Sequence, residues 1–477
     1  MSTGRGLLIA VWLLVGLTSV AQSTRQTVDS TAALVRTHYN ARQPDSIYAL
    51  TDASFKRAIS TVQFTKFITD SFTALGLWQS TGEPRITSDG YRYPVRFANG
   101  SLDFLLALDN QRKIAAFALQ PAQQPKKPER TRQEILTSNA LRTALDRQVD
   151  SAVSAYMRKP EAVGLSVGIL RNDSLFVYGY GETQTGNKRI PTGNTLFEIG
   201  SVSKTFTDVL LADAVRRGLV KLDDPASNYL PDSLPPLRYD GVTVTLRMLA
   251  NHTSGLPRLP TNLDAGPSYN PQNPYAHYDE RSLFAYLRKA QFTHKPGSVY
   301  AYSNLGMGLL GTILSRRAGK SYEQLLAEVI IRPLGLSNTF VTLPADKQLV
   351  QGYDAEGKSA HLWDFQALTG AGGIRSTVND LLRILQANLG KAPASLLKDL
   401  QIAQQPTHTE EATHVTVGLG WHINSKTGWW WHNGGTGGFR SFAGFNPKKK
   451  TGIIVLTNAQ IDSPDEVAGQ VIKAAGL

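Results

Sequence analysis

Residues 197–206 read FEIGSVSKTF, Phe197 to Phe206, and how this stretch is read decides the fold. Ser201 and Lys204 stand in an S-x-x-K pattern. Thr195 and Glu198 precede them, and the apolar run Val209-Leu210-Leu211-Ala212 follows. That order predicts a helix starting near Ser201 and burying one apolar face. Residues three apart project from the same side of a helix, so hydroxyl and amine would face one point. A serine hydroxyl is a weak nucleophile until a neighbouring base takes its proton. A lysine can be that base if burial or another cation lowers its pKa. A serine at a helix N-terminus also has free N–H groups and a favourable dipole beside it. Alone, S-x-x-K fits a capped helix with a solvated lysine equally well.

Two further sites lie far downstream. Tyr302-Ser303-Asn304 follows Pro296-Gly297 and precedes the apolar, glycine-spaced run Leu305 to Ile313. A tyrosine beside a lysine ammonium is expected to have its phenol pKa lowered, making it a usable base. Asn304 offers a donor and an acceptor, fit to hold a substrate carbonyl or the lysine. The same three residues also read as a turn with a helix cap. The third site, His432-Asn433-Gly434-Gly435-Thr436-Gly437-Gly438, directly follows Trp429-Trp430-Trp431. Glycines after a strand would let a substrate backbone lie along its edge.

The chain around these sites divides by composition. The stretch from Pro121 to Arg130, PAQQPKKPER, reads as a proline-rich charged linker. Before it, residues 22–120 read as a small α+β unit. Helical spacing runs over Thr27 to Tyr39 and Val62 to Leu75, and strand patterns over Tyr91 to Phe97, Leu102 to Leu108 and Ile114 to Leu119. After it, residues 131–477 open with a helix predicted over Gln133 to Met157. A hairpin follows, Val163 to Leu170 and Leu175 to Tyr180. The middle, Leu222 to about Leu400, reads as mostly helical with proline-rich loops. Strands are predicted over Val415 to Ile423, Trp429 to His432, Phe439 to Phe445 and Gly452 to Leu456, and a helix over Pro464 to Ala475. Strands at both ends with helices between imply an antiparallel sheet whose first and last strands meet, beside a helical insert.

At the start, Arg5, the apolar run Leu7 to Leu17 and Ser19-Val20-Ala21 have the form of a leader, residues 1–21. The run is too short for a comfortable membrane span, so the chain is expected to be exported, periplasmic or secreted, and not membrane-spanning. The 477 residues contain no cysteine, which excludes disulfides and thiolate chemistry. Lys and Arg number 50 against 38 Asp and Glu, a net charge of +12. These charges are scattered, and no glycine-rich phosphate loop accompanies them, so no nucleic-acid partner is expected. The nine histidines show no metal spacing, and no metal or cofactor is expected.

SVSK, YSN and HNG, in this order, resemble the serine β-lactamase and penicillin-binding-protein superfamily, in its class C-like esterase and D-peptidase branch. LANHTSGLP (Leu249 to Pro257), PGSVYAYSN (Pro296 to Asn304) and GAGGIRSTVNDL (Gly370 to Leu381) add to the resemblance, which spans about residues 133–458. The resemblance implies a multi-domain α+β fold: a β-lactamase-like antiparallel sheet flanked by helices, with a helical subdomain. It implies that Ser201 is acylated, activated by Lys204 and Tyr302, with the N–H groups of Ser201 and Gly435 as oxyanion hole. Asn304, His432, Gly434 and Gly435 would bind substrate. The first unit resembles nuclear-transport-factor-like cone domains fused to exported bacterial hydrolases, and is read as a binding or dimerising module.

His432 stands where classical β-lactamases carry lysine. Histidine is mostly neutral at pH 7 and offers a substrate carboxylate no fixed charge. Small activated esters are therefore expected to be turned over faster than nitrocefin. Protonating His432 toward pH 6 is expected to improve β-lactam affinity, and Arg440 is a second candidate cation. The reading is an exported serine hydrolase of small ester or D-amino-acid-containing, cell-wall-related peptide substrates. A β-lactamase is the alternative, and a catalytically silent peptidoglycan-binding protein a second one.

Overall fold

The computed structural model describes residues 25–121, 128–410, 415–461 and 463–477. The leader and most of the linker, residues 122–127, lie outside them. Contacts group the chain into Met1–Lys127 and Pro128–Leu477.

The first unit begins with four helices: α1 (Arg25–Asn40), α2 (Pro44–Ala49), α3 (Ala53–Ala58) and α4 (Thr61–Leu75). Five antiparallel strands follow: β1 (Trp78–Thr81), β2 (Arg85–Thr87), β3 (Gly90–Phe97), β4 (Gly100–Leu108) and β5 (Ile114–Pro121). The short elements α2, α3, β1 and β2 have too few residues to show a periodicity in sequence. The core is aromatic: Tyr39, Phe64, Trp78, Phe97 and Phe104 are fully buried.

The second unit opens differently from the sequence expectation. Instead of one helix from Gln133, a single helical turn at Arg132–Glu134 is followed by extended chain, with Thr137 bridged to Tyr180. The helix α5 spans Ala144–Met157, because Thr143 and Asp146 close a reciprocal capping box there. Leu141, at φ 56°, breaks any helix upstream. Arg130, counted with the linker by composition, belongs to this unit: its guanidinium donates to the carbonyls of Ala162 and Pro160 at 2.5 and 2.9 Å.

The predicted hairpin forms as β6 (Gly164–Arg171) and β7 (Ser174–Gly181), joined at Asn172-Asp173. Asn172 takes the positive φ, 53°, that such a tight turn requires. A short strand β8 (Phe197–Glu198) pairs with β9 (Arg375–Ser376), and helix α6 spans Ser203–Arg216. From Leu222 onward the chain is as much loop as helix, contrary to the mostly helical expectation. The principal helices are α7 (Asn304–Ala318), α8 (Val378–Asn388) and α9 (Ala394–Ala403). Prolines such as Pro231, Pro257, Pro260 and Pro271 keep the intervening chain irregular.

The chain ends in β10 (His408–Glu410), β11 (Val415–Val417), β12 (His422–Asn424), β13 (Trp429–Gly435), β14 (Arg440–Asn446), β15 (Thr451–Thr457) and helix α10 (Pro464–Ala475). The segment expected as one strand, Val415 to Ile423, is two, parted at Gly418-Leu419-Gly420. A Cβ on Gly420 would lie 1.6 Å from Asp208 Oδ2, so the chain turns there against α6. The eight strands order β10-β11-β12-β13-β14-β15-β6-β7, all antiparallel, so the last long strand pairs with the first. Both faces are covered. Ile453 and Val455 point to the core with α5 and α10, while Ile454 and Leu456 point to the core with α6 and α8. This accounts for the unbroken apolar run in β15. Among the described residues no helix is long and apolar enough to cross a membrane.

Candidate active site

The S-x-x-K motif sits on a tight turn. After β8, Gly200–Val202 make one 3-10 turn with Gly200 at φ 47°, and α6 begins at Ser203. Helix α6 does not bury one face only: every residue from Ser203 to Ala214 is buried, as befits a helix running through the core. Lys204 is 0% exposed. Its Nζ lies 3.1 Å from Ser201 Oγ, 2.8 Å from Asn304 Oδ1 and 2.6 Å from the Ala371 carbonyl. Burial, and then the nearby Arg258 charge, push the Lys204 amine well below its ordinary value. A neutral amine has two hydrogens and one lone pair. Asn304 Oδ1 and the Ala371 carbonyl can only accept, so they take both hydrogens, and the lone pair is left for the Ser201 hydroxyl.

Asp208 lies one turn further along α6. Its carboxyl oxygens are buried without a hydrogen-bond partner among the described residues, and burial pushes the carboxyl well up. It brings Lys204 no firm countercharge.

Tyr302 and Asn304 arrive on the start of α7. Ser303 caps that helix by accepting from Gly306 N, and its hydroxyl donates to the Pro257 carbonyl at 2.7 Å. The cap reading and the site reading of Tyr-Ser-Asn therefore both hold. The Tyr302 ring centroid lies 4.7 Å from Lys204 Nζ, 5.1 Å from Arg258 Cζ and 4.5 Å from the His252 ring. The expected lowering of the Tyr302 phenol does not occur. Burial dominates and raises it, with only partial relief from its Ser201 hydrogen bond and the Arg258 charge. The phenol therefore stays protonated.

The third motif forms the end of β13. Beyond Trp431 this strand pairs with β14 alone, so the far edge of His432–Gly435 is open. A Cβ on Gly434 would stand 2.2 Å from the Ile199 carbonyl and 2.9 Å from Ser201 N. A Cβ on Gly200 would stand 2.7 Å from Gly435 N. These two glycines thus bring the strand end against the protein's own Gly200–Val202 turn, rather than leaving room there for a substrate backbone. The contact brings the backbone nitrogen of Ser201 close to Gly434 and that of Gly435 close to Gly200.

His432 is 1% exposed, and its Nδ1 lies 2.6 Å from the Asn433 carbonyl. Its Nε2 is buried without a hydrogen-bond partner among the described residues. Burial pushes the imidazole well below its ordinary value, so it remains neutral at pH 6, and the expected gain of β-lactam affinity on acidification has no basis. His252 behaves likewise, and His422, hydrogen-bonded to the Tyr300 hydroxyl at 2.8 Å, falls to about 4. Among the described residues, no group of three or more His, Cys, Asp or Glu is placed to hold a metal ion.

Sequence reasoning passed over four participants. Glu198 carries no local signal of a role, yet its carboxylate accepts from Thr436 Oγ1 at 2.7 Å and from Trp363 N at 2.8 Å. Arg258 directly follows LANHTSGLP, and His252 lies inside that stretch, but nothing local marks either as facing Tyr302. The Ala371 carbonyl, inside the quoted GAGGIRSTVNDL, has no side-chain signal at all.

A protein-family profile described as Beta-lactamase matches residues 149–477. The chain is 31% identical to a beta-lactamase of Pseudomonas fluorescens, over 68% of this chain and 96% of that protein. It is 32% identical to the D-alanyl-D-alanine-carboxypeptidase/endopeptidase AmpH of Escherichia coli (strain K12), over 62% of this chain and 79% of that protein. Among solved structures, a class C beta-lactamase superposes with a TM-score of 0.61 at 28% identity, over 71% of this chain and 98% of the other.

Proposed function

This chain belongs to the Beta-lactamase family of serine hydrolases, and from that premise we propose that it turns over its substrate through an acyl-enzyme on Ser201. The observation that carries the reading is the buried Lys204 amine, with both hydrogens committed elsewhere and its lone pair aimed at Ser201 Oγ. In this reading Ser201 Oγ attacks the substrate carbonyl while its proton passes to Lys204 Nζ. The oxyanion is held by the N–H groups of Ser201 and Gly435, each such donor being worth about 10²–10³ in rate. The protonated Tyr302 hands its proton to the leaving group and is re-protonated through Lys204. The cycle then runs in reverse with water as nucleophile, and Asn304 and His432 keep amine and substrate in register.

The substrates proposed are small esters or D-amino-acid-containing peptides related to the cell wall, supported by the carboxypeptidase relative. A β-lactamase is the second reading, favoured by the relatives that carry that name. We further propose export after removal of residues 1–21, and a binding or dimerising task, of nuclear-transport-factor-like type, for the first unit. Peptidoglycan is the candidate partner.

Labelling with a fluorophosphonate and with a fluorescent penicillin, followed by mass spectrometry of the labelled peptide, tests the acyl-enzyme. The adduct is expected on Ser201 and absent from Ser201→Ala. A panel of nitrophenyl esters, D-alanyl-D-alanine peptides and nitrocefin then ranks the substrate classes. Protein that labels on another residue, or not at all, overturns the reading.

A further inference from the structure

The catalytic reading leaves one charge without employment. Arg258 is exposed, and its Cζ stands 5.1 Å from the centroid of the Tyr302 ring, whose surroundings Lys204 also shares at 4.7 Å. With the buried Lys204 amine neutral, Arg258 brings the positive charge to this ring, and no acid compensates it. Among the described residues no Asp or Glu pairs with Arg258. Asp208 is a buried acid pushed toward its neutral form, and Glu198 is occupied by Thr436 and Trp363. The arginine is also held in place. Its backbone carbonyl accepts from Asn304 N at 3.0 Å and from Leu305 N at 3.2 Å, which ties it to the first turn of α7. Its charge is felt by groups on separate segments of the site, lowering Lys204 and His252 and working to lower Tyr302 and Tyr275.

A solvent-reaching guanidinium beside the Tyr302 ring, carried on an anchored backbone with no acid beside it, is suited to receive an anion. His432, buried and neutral, cannot fill that role. Resting on the D-peptide arm of the function proposed above, we propose that Arg258 is the specificity residue that binds the substrate's carboxylate. A substrate bearing one would supply the countercharge that Arg258 lacks, whereas a neutral ester would not. Arg440 is the competing cation. Its guanidinium covers Gly435, where a Cβ would lie 2.7 Å from Nη1, and its Nε is buried without a hydrogen-bond partner among the described residues.

The test measures binding, so it does not depend on turnover. In the full chain carrying Ser201→Ala, the Kd of acetyl-D-alanyl-D-alanine and of its C-terminal amide is measured by titration calorimetry, with Arg258 intact, as R258Q, as R258K and beside R440Q. The acid is expected to bind about tenfold tighter than the amide, as a charge-assisted hydrogen bond warrants. This preference should weaken with added salt, vanish in R258Q, return in part in R258K and survive R440Q. Equal Kd values for acid and amide, or a preference that R258Q leaves standing, overturn the proposal. A preference lost only in R440Q assigns the carboxylate to Arg440 instead. Failure of the acyl-enzyme reading would show separately, as Ser201-independent labelling.

Discussion

The Glu198 carboxylate accepts a hydrogen bond from the Thr436 hydroxyl at 2.7 Å across 238 residues of sequence. Glu198 precedes the Gly200–Val202 turn and Thr436 follows Gly435, so this one bond fastens together the two backbones whose N–H groups are proposed to hold the oxyanion. Arg375 Nη2, 3.5 Å from the same carboxylate, and Trp363 N complete its surroundings.

Glu198→Gln can accept from one of these partners but no longer carries the charge that holds Arg375. Acylation is expected to slow by about tenfold to a hundredfold, with a loss of about 1–3 kcal/mol of stability for the buried partner left unmatched. Thr436→Val, which removes the hydroxyl alone, should slow acylation in the same direction. Acylation rates with a fluorescent penicillin and denaturant melts check both. An unchanged rate in Thr436→Val would detach this bond from the oxyanion hole.

Lys204→Ala and Tyr302→Phe are each expected to slow acylation by several orders of magnitude. The double variant should be little worse than either single one, because the groups act as one proton path. Full additivity in kcat/KM would mean that they act independently.

Gly434→Ala places a Cβ 2.2 Å from the Ile199 carbonyl, which is backbone and cannot step aside. The strand end must retreat from Ser201. A destabilisation of about 1–3 kcal/mol and a larger loss of kcat than of binding are expected. A Gly434→Ala protein with native kcat would show that the gap between strand and turn is not critical.

Three buried histidines make stability depend on pH. His252 and His432 lie well below their ordinary value and His422 falls to about 4, all through burial. The unfolded chain binds protons near pH 6.5 that the folded protein refuses, so the stability present above that pH is lost as it falls. For His422 the decline is about 1.4 kcal/mol per pH unit between pH 6.5 and 4, and His252 and His432 add to it in the same direction. His422→Asn should flatten the slope by one such share in melts at pH 7, 6 and 5. Since His432 stays neutral, the nitrocefin-to-ester ratio of kcat/KM should not rise between pH 7.5 and 6.

Limited proteolysis is expected to cut first within residues 121–127, where four of the seven residues, Pro121, Pro125, Lys126 and Lys127, are charged or proline. The fragment from Pro128 should keep its hydrolase activity. A folded but inactive fragment would show that the first unit contributes to catalysis.

The long elements were legible because their periodicity is strong. Helices α1, α4 and α10, the hairpin of β6 and β7, and β13 to β15 fall within a few residues of where pattern alone puts them. The helix expected from Gln133 was not. Apolar spacing continues upstream of Thr143, and only the capping box and the positive φ of Leu141 stop it. Proline-rich loops between Leu222 and Asn304 carry no period at all, yet they deliver Arg258 and His252.

From its residues alone, the sequence determined the chemistry available to this protein. A serine and a lysine three apart, a tyrosine ahead of a capped helix and a glycine-rich strand end are local facts, fixed by side-chain chemistry and spacing. Only the tertiary structure decided the charge state of each group, since a pKa depends on what surrounds a side chain after folding. Burial lowered the Lys204 amine, raised the Tyr302 phenol and kept His432 neutral, while Arg258 stayed exposed. Desolvation and Coulomb interactions act through space, between segments that share no pattern in the chain.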